Sequence, residues 1–358
     1  MPIRVIVTRD FDHLSEVAAA EVEAEIALRQ AGGRECVLGL ATGASPTGMY
    51  RHLAKVLNAG CARDGSGCAP ASGPDGGPDP RRVRTFNLDE YVGLPGRNAL
   101  ERTLHPESYA FFMIQELFGL LNRKFASTRI PGGELVDQGA LIRALAANPA
   151  EWEERGTDAG RSIVIRPDAQ SEVLRAVRRD VLDAYEADIR EAGGIDLQVL
   201  GIGGRGHVAF HEAGIPFEGS RMLLVRLDDD TVRHAVADGH FPSERDCPRY
   251  AVSMGAQLAF EARRVLVLAS GPRKTGPVTR SLMDEPTPGL PISYGQVYAA
   301  RGGDLLVLVD RVAGEGLLEN RSRLESRGVR IEDRSTERAR IAVRDIRFYR
   351  DASLGTLH

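Results

Sequence analysis

The chain has 358 residues, with 46 basic and 50 acidic side chains and a formal net charge of −4. That length supports a sizeable core without disulfide or metal staples; the charges of both signs are mixed along it, leaving no basic stripe for a polyanion, so nucleic acid is not an expected partner. No apolar run approaches the roughly 20 residues a membrane span requires, and Cys36, Cys61, Cys68 and Cys247 lack the close paired spacing of a zinc site.

No apolar signal-like segment opens the sequence, so the expectation is a soluble protein of a reducing cytoplasm. Lys55, Lys124 and Lys274 stand among many arginines, which makes a lysine at a site conspicuous.

Short apolar runs recur at residues 3–7, 36–40, 83–88, 162–165, 195–200, 222–227, 265–268 and 305–309, with helical-period segments between them. Between the first two runs, Leu14, Ala18, Val22 and Ile26 recur at four-residue steps with Val17 beside them, the stripe of a helix lying on a sheet. Strands alternating with helices predict an α/β fold: an open, mostly parallel sheet with helices on both faces. The reading is a single domain over 1–358, carrying a Gly/Pro/Ser-rich surface insertion at about 60–80 and a polar, irregular insertion at about 125–161 with one short helix near 140–146. The Arg- and Glu-rich tail from about 313 has no assigned role. Ligands of such folds sit beyond the carboxyl ends of the strands, so the loops there are where chemistry is expected.

The first of these loops, LGLATGASPTGMY from Leu38, puts Thr42, Gly43, Ala44 and Ser45 before Pro46 at the start of a helix. Small residues, hydroxyls and a helix N-terminus make a phosphate cradle; a helix merely capped by Ser45, with Pro46 in its first turn, accounts for the same residues. In the second loop the adjacent carboxylates Asp89 and Glu90 point opposite ways at a strand end, so only one can line the crevice, as a general base or as a cap or salt-bridge partner.

The third loop, GIGGRGHVAFHE from Gly201, spells a dinucleotide fingerprint with Gly201, Gly203 and Gly206 and an acid, Asp228, further on. A helix receiving a pyrophosphate would meet Gly214 and Pro216 almost at once, which argues against that reading. His207 and Glu212 in the same loop can shuttle protons near neutral pH, or serve only structure. Two later loops carry Arg233 and Lys274, cations for an anionic ligand or plain surface charges.

Taken in order, LGLATGASPTGMY, FNLDEYVGL, HPESYAFFM at 105–113, DLQVLGIGGRGHVAFHE, the Arg233 region, AVSMGAQLAFEARRVLVL and GPRK resemble the glucosamine-6-phosphate deaminase/isomerase family, which shares its fold with 6-phosphogluconolactonases. The resemblance covers about residues 1–310 apart from the insertions, and FNLDEYVGL with HPESY is particular to the deaminase branch. It implies a small-molecule sugar phosphate whose phosphate is held by Thr42, Gly43, Ala44, Ser45, Arg233 and Lys274. It also implies ring opening by His207 with Glu212 setting its charge and orientation, and proton transfer from C2 to C1 by Asp89, with no metal or other cofactor. The product would be a ketose 6-phosphate with release of ammonia, and members of the family occur as monomers and as homo-oligomers. Arg205 stands where the family usually carries Asp or Asn; pointing inward it would lower the pKa of His207. His211 and Ala213 also depart from the family pattern around Glu212. Glucosamine 6-phosphate is the expected substrate. The galacto epimer, a phosphosugar lactone and catalytically silent sugar-phosphate binding are the alternatives.

Overall fold

The computed structural model describes residues 3–59, 77–157 and 160–348. Its strands in chain order are β1 (Arg4–Thr8), β2 (Cys36–Leu40), β3 (Val83–Asn87), β4 (Asp89–Val92), β5 (Ser127–Arg129), β6 (Trp152–Thr157), β7 (Gly160–Ile165), β8 (Leu197–Gly201), β9 (Met222–Arg226), β10 (Tyr250–Met254), β11 (Arg264–Ala269), β12 (Asp304–Asp310) and β13 (Arg330–Arg334). Eight of them form one sheet in the order β13-β1-β12-β11-β8-β2-β3-β5, every neighbouring pair parallel. The α/β reading with an open, mostly parallel sheet holds.

Helices cover both faces of that sheet, which is why its strands read as continuous apolar runs. On one face Leu306 and Leu308 of β12, with Leu38 and Leu40 of β2, pack under Leu14, Val22 and Ile26 of the helix Phe11–Ala31 and Met49 and Leu53 of the helix Ala44–Ala59. On the other, Leu305, Val307 and Val309 meet Val278, Leu282, Tyr298, Leu317 and Leu324. Each such fully buried aliphatic side chain contributes about 1.5–3 kcal/mol.

The runs at 162–165 and 222–227 belong to a different sheet. β7 and β9 form, with β4, β10 and β6, an antiparallel sheet in the order β4-β10-β9-β7-β6. The chain crosses from one sheet to the other at Leu88, whose N–H donates to Leu40 of β2 and whose carbonyl accepts from Met254 of β10. The 125–161 stretch is therefore not irregular: β5, the helix Gln138–Ala147 and β6 lie within it, and their polar side chains mark edge strands and a half-exposed helix rather than loop. Of the 60–80 insertion, residues 60–76 lie outside the described residues. The tail packs: β13 runs parallel beside β1 as the sheet edge, and Val343 N–H donates to Asp12 of the first helix.

Among the described residues no helix is long and apolar enough to cross a membrane. Cys36 and Cys247 are buried free thiols; Cys61 and Cys68 lie outside the described residues.

Candidate active site

From β2 the chain goes on to β3 and β5 on one side, whereas from β8 it goes on to β11 and β12 on the other. The order thus reverses between the neighbours β2 and β8, and it is beyond the carboxyl ends at such a reversal that open α/β sheets bind their ligands. The loops bearing Thr42 and His207 leave from those two ends, Lys274 follows β11, and Asp89 follows β3.

The helix after β2 begins at Ala44, two residues before Pro46, so Ser45 lies inside its first turn rather than capping it. Gly43 has φ 105°, a conformation that favours glycine. No described group accepts a hydrogen bond from the backbone N–H of Thr42, Gly43, Ala44 or Ser45, which leaves a set of donors at a helix N-terminus beyond the carboxyl end of β2. Lys274 is partly buried, and its amine has no ion-pair partner among the described residues. Burial, then the charge of Arg273, lowers its pKa. Arg233 is different: 56 % exposed on the helix Asp229–Ala237, it is ion-paired to Asp230.

Asp89 opens β4 and is 4 % exposed. Its Oδ1 lies 3.5 Å from Thr42 Oγ1 of the loop after β2. Burial, then the neighbouring Glu90 carboxylate, pushes its pKa well above the usual carboxylate range. Glu90 alternates to the opposite side, as strand geometry demands. There its oxygens accept from the Ser108 hydroxyl at 2.8 Å and from the N–H groups of Tyr109 and Ala110, both at 3.1 Å, at the start of the helix Tyr109–Glu116. Burial pushes Glu90 up to about 7 against those hydrogen bonds. The structure brings Asp89 to the loop after β2 and leaves Glu90 bracing the start of the helix Tyr109–Glu116.

The GIGGRGH segment is a closed turn: Gly203 N–H donates to the His207 carbonyl at 3.0 Å and Gly206 N–H to the Gly203 carbonyl at 2.9 Å. A Cβ on Gly203 would lie 2.0 Å from His207 Nε2, so this glycine is what lets the imidazole fold back over its own turn. No helix follows Gly206; the chain makes further turns and an isolated bridge between Val208 and His211, so the dinucleotide pattern lacks the helix it needs. Phe210 N–H donates to Ser253 Oγ at 3.0 Å, and Ser253 faces Asp89 across the β4–β10 pair, which ties this loop to the strand bearing the acid.

His207 Nδ1 is 3.8 Å from Glu212 Oε2 and is buried without a hydrogen-bond partner among the described residues. The ring keeps 30 % of its surface, yet burial and the positive charges of Lys274, Arg205 and His234 push its pKa down to about 4. Glu212, 2 % exposed, is pushed up to about 7 by burial, against a 2.6 Å hydrogen bond from Thr231 Oγ1. Gly160 of β7 makes room for it, since a Cβ there would lie 2.4 Å from Glu212 Cβ. His211 accepts from Ala256 N–H through Nδ1 and reaches the Ile215 carbonyl through Nε2, each at 2.9 Å, so it is a fully buried brace of the loop. Arg205 is ion-paired with Asp228 and Asp230, and its charge still lowers the pKa of His207. Thr231, Ser253 and Gly160 were not singled out in the sequence; Thr231 alone had a cue, its place two residues before Arg233.

No family model matches the chain. Glucosamine-6-phosphate deaminase of Clostridioides difficile (strain 630) is 32 % identical over 315 residues, spanning 88 % of this chain and 97 % of that protein. The chain belongs to the glucosamine-6-phosphate deaminase family. The glucosamine-6-phosphate deaminase of Clostridium botulinum (strain Kyoto / Type A2) is 30 % identical over 316 residues, 88 % of this chain and 99 % of that one. Among solved structures, a monomeric glucosamine-6-phosphate deaminase superposes with a TM-score of 0.62 at 26 % identity, over 88 % of this chain and all of that one. 6-Phosphogluconolactonase from Trypanosoma cruzi shares the fold, with a TM-score of 0.52 at 19 % identity over 88 % of this chain and 97 % of that one. In this member of the family the strand-end loops carry a set of free backbone N–H groups, Lys274, a buried Asp89 carboxyl beside Thr42 and the His207–Glu212 pair.

Proposed function

We propose that this chain converts glucosamine 6-phosphate to fructose 6-phosphate and ammonia, in amino-sugar breakdown. The observation that carries the reading is the buried Asp89 carboxyl 3.5 Å from Thr42 Oγ1, on a strand whose register partner Ser253 also holds the loop of His207 and Glu212 through the Phe210 N–H. Hydrolysis of a lactone has no step that needs a second base, whereas moving a proton from C2 to C1 does.

In this reading the phosphate dianion docks on the N–H groups of 42–45 and on the Lys274 amine, contacts made stronger by charge. Arg233 joins them only by leaving Asp230. His207, neutral at physiological pH with a pKa near 4, takes the proton of the anomeric hydroxyl and delivers it to the ring oxygen, which opens the pyranose. Glu212 stabilises the imidazolium that forms in passing. Asp89, once ionised, is a stronger base than a solvated carboxylate because burial raises its proton affinity. It removes the C2 proton and returns it to C1 through an enolamine, and water then displaces ammonia from the C2 imine. The raised pKa also fixes a sign: with Asp89 as the base, the rate climbs as pH rises through its titration.

The test is ammonia release from purified protein with glucosamine 6-phosphate, galactosamine 6-phosphate and a phosphogluconolactone in parallel. Ammonia matched by fructose 6-phosphate from the first is expected. Lactone hydrolysis without ammonia would overturn the reading.

A further inference from the structure

Six side chains around the His207–Glu212 pair form a chain of contacts between the glycine turn, the Glu212 segment and the start of one helix. Asp228 caps the helix Asp229–Ala237, its Oδ1 accepting from Asp230 N–H at 3.2 Å. Its other oxygen accepts from Arg205 Nη1, and the same nitrogen donates to Asp230 Oδ2 at 2.7 Å. Thr231, the next residue of that helix, donates to Glu212 Oε1, which leaves Oε2 as the oxygen turned to His207 Nδ1. His207 is two residues along the chain from Arg205. The helix start is thus tied to the glycine turn through Arg205 and to the Glu212 segment through Thr231.

We propose that Arg205 and Thr231 are positioning residues of the Glu212–His207 pair: Arg205 pins the glycine turn to the helix start, and Thr231 fixes which carboxylate oxygen faces the imidazole. The Arg205 that departs from the family pattern is a replacement brace that acts through Asp228 and Asp230. The kinetic part of this proposal rests on the deaminase reading above; the spectroscopic part does not.

The charged groups around the pair give both effects a direction. Asp228 and Asp230 oppose ionisation of Glu212, and Arg205 and the Thr231 hydroxyl favour it. His207 faces Glu212 and the positive charges of Lys274, Arg205 and His234. Removing the Thr231 hydroxyl therefore makes Glu212 hold its proton to higher pH. Removing Arg205 does the same and also lets His207 protonate more readily.

The experiment compares Thr231→Val, Thr231→Ser, Arg205→Gln and Arg205→Lys in the full chain. One readout is the pH dependence of kcat and KM for ammonia release from glucosamine 6-phosphate. The other is the pH titration of the His207 ring nitrogens by NMR, assigned with His207→Asn and needing no substrate. For Thr231→Val we expect a kcat loss of about tenfold to a hundredfold, the span of a hydrogen bond to a charged group, with KM little changed. Its acid limb should move to higher pH, and Thr231→Ser should restore both. Arg205→Gln, at a side chain 37 % exposed and so safe for folding, should raise the His207 midpoint, with Arg205→Lys in between. Wild-type profiles and His207 titrations in both Thr231→Val and Arg205→Gln would overturn the proposal, as would failure of Thr231→Ser to restore. If the wild type releases no ammonia, the deaminase reading falls, and the His207 titration alone still decides this one.

Discussion

Replacing Gly203 with alanine should disable the imidazole without unfolding the chain. The added Cβ would lie 2.0 Å from His207 Nε2 and 2.1 Å from Cδ2, where ordinary contact begins at 3.4 Å. The ring must therefore shift by about 1.4 Å, which takes it out of register with Glu212, now 3.8 Å from Nδ1. A misplacement of about 1 Å costs roughly a hundredfold in rate, so kcat should fall about a hundredfold with KM nearly unchanged, since the phosphate loop is untouched. Overpacking of this kind costs about 1–3 kcal/mol, which a thermal melt would register as a modest shift. Gly204 is the control. It has open space around its Cβ position and, like Gly203, no positive φ, so Gly204→Ala should retain full activity. Steady-state ammonia release by the two variants decides the matter: equal rates for Gly203→Ala and Gly204→Ala would refute the placement of His207.

Lys274→Ala should raise KM by about tenfold to a hundredfold, the loss of one charge-assisted contact. It should also let His207 protonate at higher pH, because the Lys274 charge is one of the influences holding that pKa down; an unchanged KM would remove Lys274 from the phosphate site. His211→Leu strands the Ala256 N–H and the Ile215 carbonyl in the core. Urea unfolding should show a loss of about 2–5 kcal/mol, and a loss below about 0.5 kcal/mol would contradict the bracing role. Glu90 goes from 4.5 to about 7 on folding. The folded state thus binds the extra proton, and stability drains away as pH rises through that window, by about 3 kcal/mol. Glu212 and Asp89, also raised, contribute in the same direction, so Glu90→Gln should lessen the dependence between about pH 5 and about pH 8 without abolishing it; an unaltered slope would mean that Glu90 contributes nothing to it.

The eight apolar runs all became strands because a strand buried on both faces carries its burial in its own residues. What those residues could not say is which sheet each joins. β7 and β9 read like β2 and β8, and only pairings such as Ser162 with Val225 and Leu223 with Ser253, far apart in sequence, assign them to the antiparallel layer. Five strands were missed: β4, β5, β6 and β13, since DEYV, STR, WEERGT and RIEDR are too polar or too short to register as runs and all four lie at sheet edges, and β10, whose YAVSM is broken by Ser253. In the site, strand alternation made it legible that Asp89 and Glu90 part company. Arg205 was not legible in its direction, because its partners, Asp228 and Asp230, come within reach only when the helix Asp229–Ala237 packs behind the loop. Arg233 read as a phosphate ligand, but it stands three residues from Asp230 on one helix face and is taken up by it.

The most direct test of the account follows the C2–D bond of C2-deuterated glucosamine 6-phosphate by NMR, with the wild type and with Asp89→Asn. The account predicts that the wild type breaks that bond as ammonia appears, and that Asp89→Asn does so about 10²–10⁴-fold more slowly, the contribution of a positioned base, while still binding the sugar phosphate. Ammonia released with the C2–D bond intact, or bond cleavage as fast in Asp89→Asn as in the wild type, would contradict it.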